Sequence, residues 1–181
     1  MAARSEDLIR SLQLEPLGPE GGWFRETFRD TCKLSKGSLP EGFKSDRSFS
    51  TCIYYLLTLG QVSWFHRLIS AEVWHFYLGR PLILTELMPD GSLTQTTLGS
   101  DLAAGQVVQH TVLPGTWFGA HVDDSSGSET KGPFAALQKD SDCSLIGATV
   151  APGNHVLQLR LGSPLPPHCR CVAVQAGTLY M

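Results

Sequence analysis

The possible folds of this chain are limited most by a rhythm of short apolar runs, each ended by a turn rich in glycine or proline. Ser50-Thr-Cys-Ile-Tyr-Tyr-Leu-Leu is apolar, β-branched or aromatic through its centre and predicts a buried strand. The runs Leu82 to Met88 and Ser92 to Leu98 flank Pro89-Asp-Gly91, a hairpin-turn signal. Further strands are predicted at 23–29, 106–113, 116–122, 144–150 and 155–161, with a short one at 172–174. Roughly eight to ten strands at roughly ten-residue spacing indicate a closed or sandwiched antiparallel barrel. One segment departs from the rhythm. From Ser5 to Leu14 the stripe Leu8, Ile9, Leu12 predicts a short amphipathic helix, with Ser5 placed to cap it and Glu6 and Asp7 complementing its positive end.

Within this rhythm, Gly60 to Gly79 carries polar groups among aromatic ones. A turn is expected at Ser70-Ala71, making a hairpin that sets His66 against Glu72. Strand alternation beyond it puts Glu72, Trp74 and Phe76 on one face and Val73, His75 and Tyr77 on the other. A carboxylate on an apolar face is costly to bury without a partner. His66 is the expected partner of Glu72. Earlier, Pro19-Glu-Gly-Gly-Trp-Phe-Arg-Glu-Thr allows a tight turn at its glycines before a strand. Alternation there groups Trp23, Arg25, Thr27 and Arg29 on one face, and Phe24, Glu26 and Phe28 on the other. Whichever set faces inward supplies ligand contacts; the bland alternative is an exposed edge strand.

Composition excludes several classes. The 181 residues suffice for one sizeable core, and no internal repeat divides them, so a single domain over 1–181 is expected. Residues 123–142 are rich in Ser, Gly, Asp and Lys and read as a long surface loop. A net charge of −3 implies no general affinity for nucleic acid or anionic membranes. No apolar run reaches the ~18 residues of a membrane span. Acidic residues stand where a signal peptide would be apolar, and the five cysteines are scattered and odd in number. Both point to reduced thiols and a cytoplasmic location. Cys169-x-Cys171 is weak as a metal motif.

The stretch from Gly60 resembles the first signature of the cupin superfamily: Gly, five residues, His-x-His, a short gap, Glu, six residues, Gly. Here the second histidine is Leu68. Together with Pro19-Glu-Gly-Gly-Trp-Phe-Arg-Glu-Thr, Ser50-Thr-Cys-Ile-Tyr-Tyr-Leu-Leu, Ser63-Trp-Phe-His-Arg, Pro114-Gly-Thr-Trp-Phe and Val150-Ala-Pro-Gly, it is similar to one small cupin family labelled as a domain of unknown function. More distantly the chain resembles the sugar-nucleotide epimerases of the rhamnose pathway, with a catalytic His at a position like His66. The resemblance implies an all-β double-stranded β-helix, or jelly roll, with a core over about 15–161. It also implies a homodimer. Gly18 replaces the histidine usual before Pro-Glu-Gly-Gly, and Asn154-His-Val departs from the family after Gly153.

Cupin metal sites resemble clusters of two or three His with one carboxylate. Alignment puts Leu68 and Phe118 at two of those positions, so neither a metal nor another cofactor is expected; His110 and His121 are nearby in sequence, and a register shift of three would bring His121 in. Without metal, a carboxylate-oriented His is equipped to abstract a proton beside a carbonyl. The site expected is therefore His66 as base and Glu72 as its orienter. Arg25 and Glu26 would contact substrate, and Trp74, Phe76, Trp117 and Phe118 would form an aromatic lining for a sugar-like or nucleotide-like small molecule. The acid is left open among Tyr54, Tyr55 and Tyr77. Two functions fit: a metal-independent epimerase or isomerase of a sugar or sugar nucleotide, and a cupin that binds such a ligand without turnover.

Overall fold

The computed structural model describes residues 4–125 and 141–153. The strands predicted at 155–161 and 172–174, Cys169, Cys171 and most of the 123–142 loop lie outside them. The described chain runs α1 (Ser5–Ser11), β1 (Glu15–Pro16), β2 (Trp23–Arg29), β3 (Lys33–Leu34), β4 (Arg47–Ser48), β5 (Thr51–Thr58), β6 (Val62–His66), β7 (Ala71–Gly79), β8 (Leu82–Leu87), β9 (Leu93–Leu98), β10 (Gln109–Val112), β11 (Trp117–Val122) and β12 (Cys143–Ala151).

The strands build two facing antiparallel sheets, ordered β1-β2-β5-β12-β7-β10 and β6-β11-β8-β9, with β3 and β4 paired separately. This is a jelly-roll sandwich, as the strand rhythm predicts. The core lies between the sheets, where Tyr55, Leu57, Trp74, Leu84, Phe118 and Ile146 are buried together. The alternation expected in β7 holds: Glu72, Trp74 and Phe76 are buried while Tyr77 is half exposed. Outside, α1 lays Leu8, Ile9 and Leu12 over Leu56, Cys143 and Leu145.

Three local expectations are corrected. Ser5 does not cap α1. The cap position is Arg4, and the Ser5 amide and hydroxyl both donate to the Asp142 carboxylate, each at 2.8 Å. The helix is thus tied to the start of β12 by a contact too distant in sequence for a local signal. Next, β6 and β7 form no hairpin, since β6 pairs with β11 while β7 pairs with β10 and β12. The chain crosses between sheets at residues 67–70, with the Ser70 hydroxyl donating to the Pro152 carbonyl at 2.7 Å. His66 and Glu72 therefore belong to opposite sheets. Finally, β2 carries a bulge. Glu26 pairs with Ile53 and Phe28 with Cys52, so Thr27 is the extra residue. A bulge reverses the facing of every residue after it, and Arg29 joins Glu26 on the inner face.

Candidate functional site

The inner faces of β2, β5, β12, β7 and β6 enclose a pocket whose interior measures about 60 Å³. Its polar lining is Glu20, Glu26, Arg29, Thr51, His66 and Glu72, and its walls are apolar, among them Leu17, Phe24, Leu68 and Val150. At ~10–15 Å³ per water position, this interior holds roughly four to six waters or one end of a small molecule.

His66, at the end of β6, is only 2% exposed. Its Nδ1 lies 2.7 Å from the Trp64 carbonyl oxygen. A carbonyl can only accept, so Nδ1 carries a hydrogen. In the neutral ring, Nε2 is then a bare lone pair. That nitrogen faces Glu20 Oε1, 3.5 Å away, and both residues line the pocket. Burial lowers the His66 pKa, opposed by the nearby Glu72 charge and the bond to Trp64. The ring is held in place by Phe118, whose centroid is 4.2 Å from its own, and Phe118 in turn meets Trp74 edge-on at 6.0 Å.

Glu20 lies in the Pro-Glu-Gly-Gly segment, and residue type alone does not mark it as a site residue. Gly21 and Gly22 have φ of 90° and 76°. A side chain on Gly21 would collide with the Val62 carbonyl, and one on Gly22 with the Leu56 carbonyl and the Tyr55 ring. The two glycines are what allow the turn to lie against β6 and place Glu20 beside His66. Ser63 donates to Glu20 Oε1 at 3.4 Å, and Tyr55 donates to the Gly21 carbonyl at 2.9 Å. Burial, partly offset by Ser63, pushes the Glu20 carboxyl up to about 7.

Glu72 is the second buried carboxyl. Its Oε2 accepts from the Trp74 indole at 2.9 Å. Burial pushes it up to about 7, with His66 opposing and Glu20 adding to the rise. The expected His66–Glu72 contact is corrected. They influence each other through space, while the Trp64 carbonyl orients the ring and Glu20 faces its free nitrogen. The cause is the crossing at 67–70, which sets the two residues on separate sheets.

The other expected site residues divide. Glu26 lines the pocket and holds Arg29, whose Nε donates to Glu26 Oε1 at 2.9 Å. Arg25 is not at the rim. It lies on the outer face, its guanidinium 5.6 Å from the Tyr54 ring centre and bonded to Gln13 at 3.3 Å. The β2 bulge gives its expected place to Arg29. Trp74, Phe76 and Phe118 pack in the core behind the pocket instead of lining it. Trp117 faces outward beneath Arg67, 5.1 Å from its ring centre. Tyr54 and Tyr77 meet edge-on away from the pocket, and Tyr55 donates its hydroxyl to Gly21, so no tyrosine among the described residues lines the pocket.

The metal typical of cupins does not fit here. Among the described residues no three His, Cys, Asp or Glu side chains are arranged to hold an ion. Leu68 lines the pocket at one ligand position of the signature, and Phe118 packs on His66 at another. His121 is the register partner of Val62 and Ile83, in the half of β11 beyond Phe118, and His110 is paired with Glu86 at 2.6 Å.

A search of curated proteins returned no match. Among solved structures, a Shewanella oneidensis protein is similar at 30% identity and a TM-score of 0.70, over 95% of this chain and 89% of that one. A hypothetical protein from Leishmania major is similar at 28% identity and a TM-score of 0.68, over 84% of each chain. The family model described as Cupin superfamily (DUF985) matches residues 6–161, and the chain belongs to that family.

Proposed function

We propose that this cupin is a metal-independent isomerase or epimerase acting beside the carbonyl of a sugar-like or sugar-nucleotide molecule, with His66 as the base. The observation that carries this reading is the His66 ring itself: Nδ1–H is fixed on the Trp64 carbonyl, which leaves the Nε2 lone pair beside Glu20, in the lining of a small pocket that Glu72 shares. His66 Nε2 takes the proton from the carbon next to the carbonyl. The C–H electron pair becomes the C=C bond of an enediol, and the carbonyl oxygen receives a proton from Glu72. A carboxyl raised to about 7 is half protonated near neutrality, which suits such an acid. Reversal on either carbon or either face returns the proton, with no oxidant or reductant consumed. Glu20, facing Nε2, accepts or supplies the proton that the ring carries between turnovers.

The test is wash-in of solvent deuterium into small aldoses, ketoses and sugar nucleotides, followed by mass spectrometry. Wild-type protein should introduce deuterium next to the carbonyl. His66→Asn should keep the fold and ligand binding while lowering exchange by roughly 10²–10⁴, the contribution of one general base. Saturable binding with no wash-in would assign the pocket to ligand binding without turnover.

A further inference from the structure

We infer, building on the proton-transfer reading of this pocket, that it takes an uncharged, hydroxyl-rich carbonyl compound and excludes phosphorylated and nucleotide-linked forms. Among the described lining residues acidic groups outnumber basic ones: Glu20, Glu26 and Glu72 against Arg29, with the His66 ring kept neutral by burial. Arg29 is the one arginine or lysine among the described lining residues, and its guanidinium is clasped by both oxygens of Glu26. A phosphate would have to compete with that carboxylate to reach it, in a pocket that Glu20 and Glu72 also line. The other arginines of this region point elsewhere. Arg25 lies over Tyr54 and Arg67 over Trp117, both outside.

Among the described residues, nothing in the lining offers the usual means of holding a phosphate: a fork of guanidinium donors open to a ligand, or a row of backbone amides at the start of a helix. Carboxyls are instead suited to neighbouring hydroxyls. Each accepts from an O–H when ionised, and when protonated donates from one oxygen and accepts at the other. Glu20 and Glu72 lie with His66 in the lining of a pocket of about 60 Å³, room for one end of a small carbohydrate. Apolar walls such as Leu17, Phe24 and Val150 suit the C–H edges of such a molecule. Rejection by misplaced like charge is as effective a source of selectivity as added contacts.

The experiment is calorimetric titration of the full chain with xylose and fructose, with the terminal phosphate of each, and with inorganic phosphate and thymidine diphosphate alone. Deuterium wash-in is run on the same compounds. Expected is saturable binding of at least one neutral sugar, at least ~10-fold weaker binding of its phosphate, and none of thymidine diphosphate. Glu26→Gln removes one negative charge and weakens the hold on Arg29, so it should narrow that gap several-fold or reverse it. Tighter binding of a phosphorylated or nucleotide probe by the wild type overturns the inference, as does the absence of binding by any neutral sugar. Neutral sugars that bind without wash-in would support the selectivity while removing the proton-transfer reading. Wash-in confined to phosphorylated compounds would do the opposite.

Discussion

Replacing Glu72 by Gln should make the protein more stable at alkaline pH and flatten its stability profile. Burial moves this carboxyl from an ordinary value of 4.5 to about 7. A carboxyl raised on folding keeps a proton that the unfolded chain has already released. Its contribution is therefore complete below about 4.5 and is lost as the pH climbs through about 7. At ~1.4 kcal/mol per tenfold change in proton affinity, the loss from about pH 5 to about pH 8 is on the order of 2–3 kcal/mol. Glutamine keeps an acceptor for the Trp74 indole but has no charge to bury, so the variant escapes this loss. Urea unfolding of wild type and Glu72→Gln at several pH values measures it directly. The variant should gain on the wild type by ~2 kcal/mol across that range. Parallel profiles, or a variant that loses ground as the pH rises, would refute the assignment of Glu72 as a buried carboxyl desolvated by its pocket.

Two further outcomes can be measured. Trp74→Phe removes the donor to Glu72 Oε2; at pH 8 it should cost ~1.5–3 kcal/mol, the range for a bond to a charged group, and a change under ~0.5 kcal/mol would show that the indole bond contributes little. The chain is proposed to pair as a homodimer, so light scattering at micromolar concentration should report about twice the 19.7 kDa monomer mass, and a monomer alone would contradict it.

The fold was largely legible because a sandwich writes itself locally. The alternation of Glu72, Trp74 and Phe76 with Val73, His75 and Tyr77 has the period of a strand, and Pro89-Asp-Gly91 has the chemistry of a turn. What escaped was non-local. Nothing near Thr27 announces a bulge, since no glycine or proline marks it, yet that one residue exchanged Arg25 for Arg29 at the pocket. The partners of β6 and β7 are set by strands far along the chain, so the short gap between them resembles a hairpin in sequence without being one. His66 and Glu72 were recognisable as polar residues among aromatics and in the cupin spacing. The orienting group for His66 was not, because a backbone carbonyl leaves no trace in side-chain identity. Glu20 lay within a noted motif, and its signal was the following Gly21-Gly22, whose positive φ values permit the close approach to β6.

Everything proposed for the pocket turns on which nitrogen of His66 is free. Long-range proton–nitrogen correlation spectroscopy of ¹⁵N-histidine-labelled protein, assigned with His66→Asn, reads this without any ligand. Burial lowers the pKa of the ring, so it should be neutral in mildly alkaline solution. Expected there is a His66 signal with hydrogen on Nδ1 and an unprotonated Nε2. A ring with its hydrogen on Nε2, or one that stays doubly protonated at that pH, would mean that no base faces the pocket.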